Sequence, residues 1–292
     1  MRSESDGLLL IDKERGKTSF DVIRELKRIS PIEKAGHTGT LDKFAEGLLL
    51  LLTGRFTRLV PLFASLDKVY RAVIRFGERT DTLDIYGRVV ERGDIPVFEK
   101  VEIAVKNFIG EIDQIPPLFS AVHVNGRRAY KYALEDRRVD LRPKRVTIYT
   151  FDIVRYDPPD LEVLVKVSKG TYVRAIARDL GRMVDSCAHL RFLRRECVGQ
   201  FNLSEAKRVN EVDFSRDVIS PYKFLRRLES VGYLTANDAE IEKLRRGIEP
   251  RRIFNERLFE EKRFHCVFNR KRKLVAVFEK LNSKVKYVAV FN

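Results

Sequence analysis

Cysteine is scarce in this chain. Cys187, Cys197 and Cys266 are odd in number and widely spaced, which excludes a disulfide framework and the clustered spacing of a zinc site. Long apolar runs are missing too. Runs such as 8–11 and 48–52 fall far short of the roughly 18 residues that mark a spanning helix. The N-terminus holds Glu4 and Asp6 and no extended apolar segment, so no secretory signal is expected. No P-loop and no Gly-x-Gly-x-x-Gly motif occurs. His123, His189 and His265 have no partner at ligand spacing. These gaps point to a cytoplasmic protein that works without metal or cofactor. Acids are the scarce charge: 42 Asp and Glu stand against 57 Lys and Arg, for a net charge of +15. A fold does not require that imbalance, and an anionic partner explains it. Nucleic acid is the first candidate and an acidic membrane the weaker second.

What is present suffices for a large domain and a small one: 292 residues, 44% of them hydrophobic. Residues 18–30 read as a helix through Val22, Ile23, Leu26 and Ile29, capped by Thr18 or Ser19 and closed by Pro31. Residues 68–76 read as a strand, with Tyr70, Ala72, Ile74 and Phe76 on one face. A second helix is expected at 98–109 with Gly110 as its C-cap. Strands are expected at 145–155 and 161–168 about an Asp-Pro-Pro-Asp turn, then a helix at about 173–184. The mixture is α+β, without a regular βαβ alternation. After residue 230 the texture changes. A short helix at 236–246 precedes strand-like stretches near 264–268, 273–279 and 285–291. These fit a small β-barrel module. That segment, 231–292, carries 15 Lys and Arg against 8 acids and is the denser cationic part. A boundary near 230 therefore divides 1–230 from 231–292.

Four blocks carry the chemistry. The first runs Gly36-His37-Thr38-Gly39-Thr40-Leu41-Asp42. The second is Lys68-Val69-Tyr70-Arg71 followed by Gly77 to Gly87, with Thr80-Asp81-Thr82 and Asp84 read as a structural turn. The third is Pro116-Pro117-Leu118-Phe119-Ser120-Ala121. The fourth is Ser168-Lys169-Gly170-Thr171-Tyr172-Val173-Arg174, with Leu193-Arg194-Arg195 beyond it. In the first block two glycines let backbone approach a ligand, and an acid is then presented ahead of an apolar run. Taken alone this is a polar loop entering a buried element. Tyr70, Tyr172 and Leu193, taken alone, are as well read as core, and Arg174 as an ordinary surface arginine.

Together and in this order, over most of residues 7–200, the blocks resemble the TruB family of pseudouridine synthases in its bacterial, tRNA-modifying branch. The resemblance implies a pseudouridine-synthase fold: a central mixed, mainly antiparallel sheet flanked by helices, with a PUA-like module at the C-terminus. It implies isomerisation of the T-loop uridine at tRNA position 55, with no cofactor or metal, by a monomer with no obligate protein partner. By the same resemblance Asp42 is the catalytic aspartate, Tyr70 the tyrosine against the target base and Arg174 the aspartate's partner. His37, Tyr172 and Leu193 surround or help extrude the nucleotide. Lys13 lies near the RNA backbone or packs under the Asp42 loop. Arg191, Arg194 and Arg195 are expected to contact phosphates.

The residue types suit the reaction. Uridine must lose its N1–C1′ bond, rotate and rejoin through C5. A carboxylate can attack, or stabilise positive charge on the sugar, and a guanidinium beside it keeps it ionised. The base must leave its stack at a cost of a few kcal/mol, which a stacking tyrosine helps recover. Lys43 stands where the family pattern has proline, Glu46 where a small residue is usual, and Glu14, Phe119 and His123 also depart from it. Competing readings are a non-catalytic RNA-binding or RNA-folding protein, a pseudouridine synthase for another structured RNA, and, far behind, a nucleotidyl transferase.

Overall fold

The computed structural model describes residues 6–124, 126–135, 137, 139–254, 262–281 and 284–291. Its strands are β1 (Leu8–Lys13), β2 (Ala35–His37), β3 (Glu46–Thr53), β4 (Lys68–Phe76), β5 (Glu78–Thr80), β6 (Val89–Arg92), β7 (Gly110–Gln114), β8 (His123–Val124), β9 (Arg127–Arg128), β10 (Lys144–Asp157), β11 (Asp160–Val167), β12 (Ala188–Val198), β13 (Phe201–Asn202), β14 (Val231–Ala236), β15 (Phe264–Asn269), β16 (Leu274–Leu281) and β17 (Lys284–Val290). The α-helices are α1 (Ser19–Ile29), α2 (Val60–Phe63), α3 (Phe98–Lys106), α4 (Ala129–Ala133), α5 (Val173–Met183), α6 (Pro221–Leu225) and α7 (Asp238–Arg245).

A nine-stranded sheet organises the chain. Its order is β1-β3-β12-β4-β11-β10-β7, with β2 added on β3 and β13 on β12. Every pairing is antiparallel except β3 with β12, which is parallel through Arg194 opposite Glu46 and Arg195 opposite Gly47. The expected mixed, mainly antiparallel sheet is thus present. Alternation decides its faces. Tyr70, Ala72 and Ile74 on β4 share a core with Val163 and Val165 on β11, and α1, α3 and α5 close it through Val22, Val101 and Ile176. The leucines of β3 do not alternate because both faces are covered: Leu49 and Leu51 enter that core, while Leu48, Leu50 and Leu52 enter a second one.

Helix α1 starts where its sequence indicates. The Thr18 hydroxyl accepts from the Asp21 amide, and the Asp21 carboxylate accepts from the Thr18 amide. Ile29, read as part of the apolar face, instead lies exposed in the fraying last turn. Helix α3 ends at Lys106 with Asn107 as C-cap. Gly110 opens β7 at φ +114°, so its left-handed backbone serves the strand entry rather than the helix end.

The C-terminal strands form an open sheet, β14-β15-β16-β17. The expected closed barrel is corrected: no pairing joins β14 to β17 among the described residues. β14 and β15 run parallel, a pairing that requires the long α7 crossover and gives no local hairpin signal. This sheet is not detached. Phe264, Cys266, Val277 and Phe291 pack with Leu8, Leu50 and Phe56 in the second core. The face of β1 and β3 away from the Asp42 loop is therefore covered by the tail. No helix of the described residues is long and apolar enough to cross a membrane.

Candidate active site

Residues 38–45 leave β2 and return to β3, and three anchors hold that loop. The first is α1: the Ser19 hydroxyl donates to the Leu41 carbonyl at 3.3 Å and accepts from the Leu41 amide at 3.0 Å. The second is Lys13, whose Nζ donates to the carbonyls of Glu14 (3.1 Å), Lys17 (2.7 Å) and Ala45 (2.5 Å). The third is Arg195, whose guanidinium donates to the carbonyls of Leu48 (2.7 Å), Gly39 (3.1 Å) and Thr40 (3.5 Å). Gly47 permits the close crossing. It sits at φ +100°, and a Cβ there would lie 2.5 Å from the Arg195 carbonyl oxygen.

Asp42 rides on this loop at the mouth of a cavity of about 350 Å³. That volume lies at the small end of the roughly 300–1,000 Å³ typical of small-molecule sites. Arg174, in the first turn of α5, meets it there: Nε lies 2.8 Å from the Asp42 carboxylate. Nε makes no aligned hydrogen bond, so the contact is an ion pair. The guanidinium is aimed by its other nitrogens, which donate to the carbonyls of Thr82 (2.9 Å) and Phe119 (3.0 Å). Arg174 is only 5% exposed, whereas Asp42 is 38% exposed and available to a ligand. Helix α5 is fixed at its start by the Gln114 side chain, which accepts from the Tyr172 amide and donates to the Tyr172 carbonyl.

A second carboxylate stands behind the arginine. Asp84 Oδ2 is 3.8 Å from Arg174. Its Oδ1 accepts from the Thr82 hydroxyl at 2.8 Å and the Tyr86 amide at 2.9 Å. The turn is structural, as its sequence suggests, and it also supports the Arg174 guanidinium. Burial raises the Asp84 pKa above 3.8, although the Tyr86 amide, Thr82 and Arg174 oppose the rise. A raised carboxylate pKa means that stability falls as pH climbs from the unfolded value through the folded one. Asp84→Asn keeps an acceptor for Tyr86 and removes the desolvated charge. Its melting temperature at pH 7 is therefore expected to equal or exceed the parent's, with the difference shrinking as pH falls through the raised pKa toward 3.8. Calorimetry over pH 3.5–8 measures this, and a large drop at pH 7 alone would contradict it.

Of the residues singled out in the sequence, Asp42, Tyr70, Tyr172, Arg174 and Leu193 line this one cavity. Tyr70 and Leu193 sit on neighbouring strands β4 and β12, with Leu193 opposite Ala72. His37 ends β2 beside the loop and does not line the cavity. Its Nδ1 is buried without a hydrogen-bond partner, and burial together with the Arg195 charge lowers its pKa below 6.5. Lys13 is fully buried. The reading in which it supports the Asp42 loop matches its three carbonyl contacts, and contact with an RNA backbone does not.

Of the three arginines expected to contact phosphates, one, Arg195, is buried and is corrected, whereas Arg191 and Arg194 keep side chains 51% and 37% exposed. Arg195 is a buried loop clamp. Arg191 is paired with Asp160, and Arg194 with Asp12, Glu46 and Glu196. Glu46, which departs from the family pattern, therefore faces a cation. Sequence reasoning missed Arg195 as a clamp, Ser19, Gln114 and Lys68, which also lines the cavity. Strand alternation held the signal for two of them: Leu193 shares a face with Arg195, and Tyr70 with Lys68. Among the described residues no group of three or more His, Cys, Asp and Glu is placed to hold a metal.

Comparison with known proteins identifies the family. A family model described as TruB family pseudouridylate synthase (N terminal domain) matches residues 27–173. The chain is 39% identical to tRNA pseudouridine synthase B of Borreliella burgdorferi (strain ZS7) over 290 residues, covering 98% of this chain and 99% of that protein. It is 42% identical over 219 residues to tRNA pseudouridine synthase B of Chlamydia trachomatis serovar L2 (strain ATCC VR-902B / DSM 19102 / 434/Bu), covering 74% and 90%. Among solved structures, a chain in the crystal structure of a Cbf5-Nop10-Gar1 complex superposes with a TM-score of 0.71 at 23% identity, covering 99% of this chain and 85% of that one. That last likeness is one of fold.

Proposed function

The chain belongs to the TruB family of pseudouridine synthases, and from that premise we infer that it isomerises uridine to pseudouridine in tRNA, at the T-loop uridine of position 55. The observation that carries this reading is the contact of Asp42 with Arg174 at the mouth of a cavity shared with Tyr70, Tyr172 and Leu193.

The steps follow from the placement. The target nucleotide is flipped into the cavity, and Tyr70 stacks on its base. Asp42, paired with Arg174, acts on the nucleotide as nucleophile or as counter-charge to the sugar while the N1–C1′ bond breaks. The detached uracil is confined between Tyr70, Tyr172 and Leu193 while it turns to present C5. C5 bonds to C1′, releasing the Asp42 carboxylate if it had bonded there; C5 gives up its proton to solvent, and N1, which kept the electron pair of the broken bond, takes one up. No net oxidation or hydrolysis occurs. Incubating the protein with an unmodified tRNA transcript and mapping new pseudouridine tests the reading. A single modified site in the T loop is expected, and a transcript left unmodified refutes it.

The segment from 231 onward is read as a PUA-like RNA-binding module that grips tRNA largely through phosphates; the enzyme is read as a cytoplasmic monomer. The basic turn Asn269-Arg270-Lys271-Arg272 and Lys273 support the module's role. Deletion is a poor probe, because β15–β17 complete a core shared with β1 and β3. Charge removal leaves that core intact. Replacing Arg270, Lys271 and Lys273 by Gln is expected to weaken tRNA binding and to reduce the slope of log K against log salt by up to about 3, roughly one for each phosphate no longer neutralised. Filter binding between 50 and 300 mM salt reads it out, and an unchanged slope removes the tail from the interface.

A further inference from the structure

The arginines near the cavity are already engaged, yet RNA entering it must bring phosphates. Arg71 is paired with Glu162, Arg75 and Arg191 with Asp160, and Arg194 with three acids. Arg195 is consumed by carbonyls. Lys68 differs. It lines the cavity and is partly buried. Its Nζ donates to the Leu66 carbonyl at 2.5 Å, and among the described residues it has no carboxylate within ion-pair distance. Lys169 stands in the same condition, exposed on the turn that leaves β11. Lys68 is opposite Val167 in the β4–β11 register, one residue before Ser168 and two before Lys169.

The position along β4 is informative. Lys68 and Tyr70 are two residues apart on one face, so their Cα atoms are separated by about 7 Å along the strand. A base stacked on Tyr70 with its sugar at Asp42 would bring its backbone past Lys68 in the cavity wall, and Lys169 is the exposed residue between the lining residues Ser168 and Gly170. Desolvating an ammonium with no counter-ion is costly, and that cost is recovered when an anion arrives. Burial, aided by the positive charge of Arg195 and Lys169 and opposed by Asp67, lowers the Lys68 pKa to about 8. A phosphate at this place would restore it.

We propose that Lys68, with Lys169 at the rim, is the binding site for the phosphodiester that flanks the extruded nucleotide. This deepens the pseudouridine-synthase reading and rests on it. The site fixes the backbone while the base is held on Tyr70, so it acts as a positioning site and not as a catalytic group.

The test pairs protein and RNA substitutions. T-arm RNAs are made with a single neutral methylphosphonate immediately 5′ or 3′ of the target uridine, beside the all-phosphate RNA. Binding and single-turnover conversion are measured for the parent, Lys68→Met and Lys68→Arg. One of the two methylphosphonates is expected to weaken parent binding by roughly tenfold or more, the scale of one charge-assisted contact. Lys68→Met should lose a similar factor on all-phosphate RNA and lose little further on that methylphosphonate. Lys68→Arg should retain part of the binding and of the methylphosphonate's effect. If the penalty of each methylphosphonate is the same in Lys68→Met as in the parent, the proposal is overturned and Lys68 merely caps the Leu66 carbonyl. If neither methylphosphonate weakens the parent, it is overturned without use of a variant. If the parent fails to modify all-phosphate RNA, the underlying functional reading fails instead.

Discussion

Asp42→Asn is expected to bind unmodified tRNA within a fewfold of the parent and to form pseudouridine at least ~10³-fold more slowly, the scale on which enzymes lose rate when a reacting or charge-stabilising group is neutralised. The amide has the carboxylate's shape, so neither the loop nor the cavity need move. Arg174 keeps its carbonyl partners at Thr82 and Phe119 and the Asp84 charge at 3.8 Å, so the cation is not orphaned. Asp42 is 38% exposed in its side chain, so folding stability changes little. What is lost is the negative charge where the glycosidic bond breaks. An amide can neither bond to the sugar as a competent nucleophile nor stabilise its positive charge. Single-turnover conversion at saturating protein separates this from a binding defect. A rate within tenfold of the parent would show that the chemistry proceeds without this carboxylate.

The elements that sequence periodicity revealed are those in which one apolar face meets one core. Helices α1 and α5 and strands β4 and β11 are of this kind, and their expected and observed limits differ by at most a few residues. Strand β12 was hidden. Its stretch Ala188-His189-Leu190-Arg191-Phe192-Leu193-Arg194-Arg195 looks like a basic segment bound for solvent, because composition does not disclose carbonyls waiting to be satisfied. The parallel pairing of β14 with β15 was hidden for another reason: its partners are far apart in sequence and joined through a helix. In the site, the ordered blocks name most of the residues that touch the cavity, and of those that hold them in place only Lys13 is legible as a support. Ser19 reads as a helix cap, and Gln114 carries no signal. Their partners, the Leu41 and Tyr172 backbones, are backbone groups on other elements. Asp84 was recognised as a turn residue, and only its distance to Arg174 shows its further connection to Asp42.

Arg195→Met should be the most damaging change outside the reacting residues. Arg195 is 2% exposed, and its three donors satisfy carbonyls of Leu48, Gly39 and Thr40. Methionine fills similar space but leaves those oxygens without a partner, at about 1–3 kcal/mol each where they remain buried. Gly39 and Thr40 can turn toward water, whereas Leu48 cannot, since it lies within β3. The expected result is a loss of about 1–3 kcal/mol in unfolding free energy, from the Leu48 carbonyl, together with a fall in turnover larger than the fall in folded protein. The second part follows from the loop: once Gly39 and Thr40 are released, the chain entering Asp42 is held only at Leu41 by Ser19, and a displacement of about 1 Å is enough to cost roughly a hundredfold in rate. Arg195→Lys distinguishes charge from geometry. A single ammonium cannot reproduce the guanidinium fork, so Lys should restore little of the turnover even if it restores stability. Urea unfolding gives the stability, and single-turnover conversion normalised to folded protein gives the rate. Should Arg195→Lys react like the parent, the clamp is electrostatic, and the position of Asp42 does not depend on the carbonyl contacts.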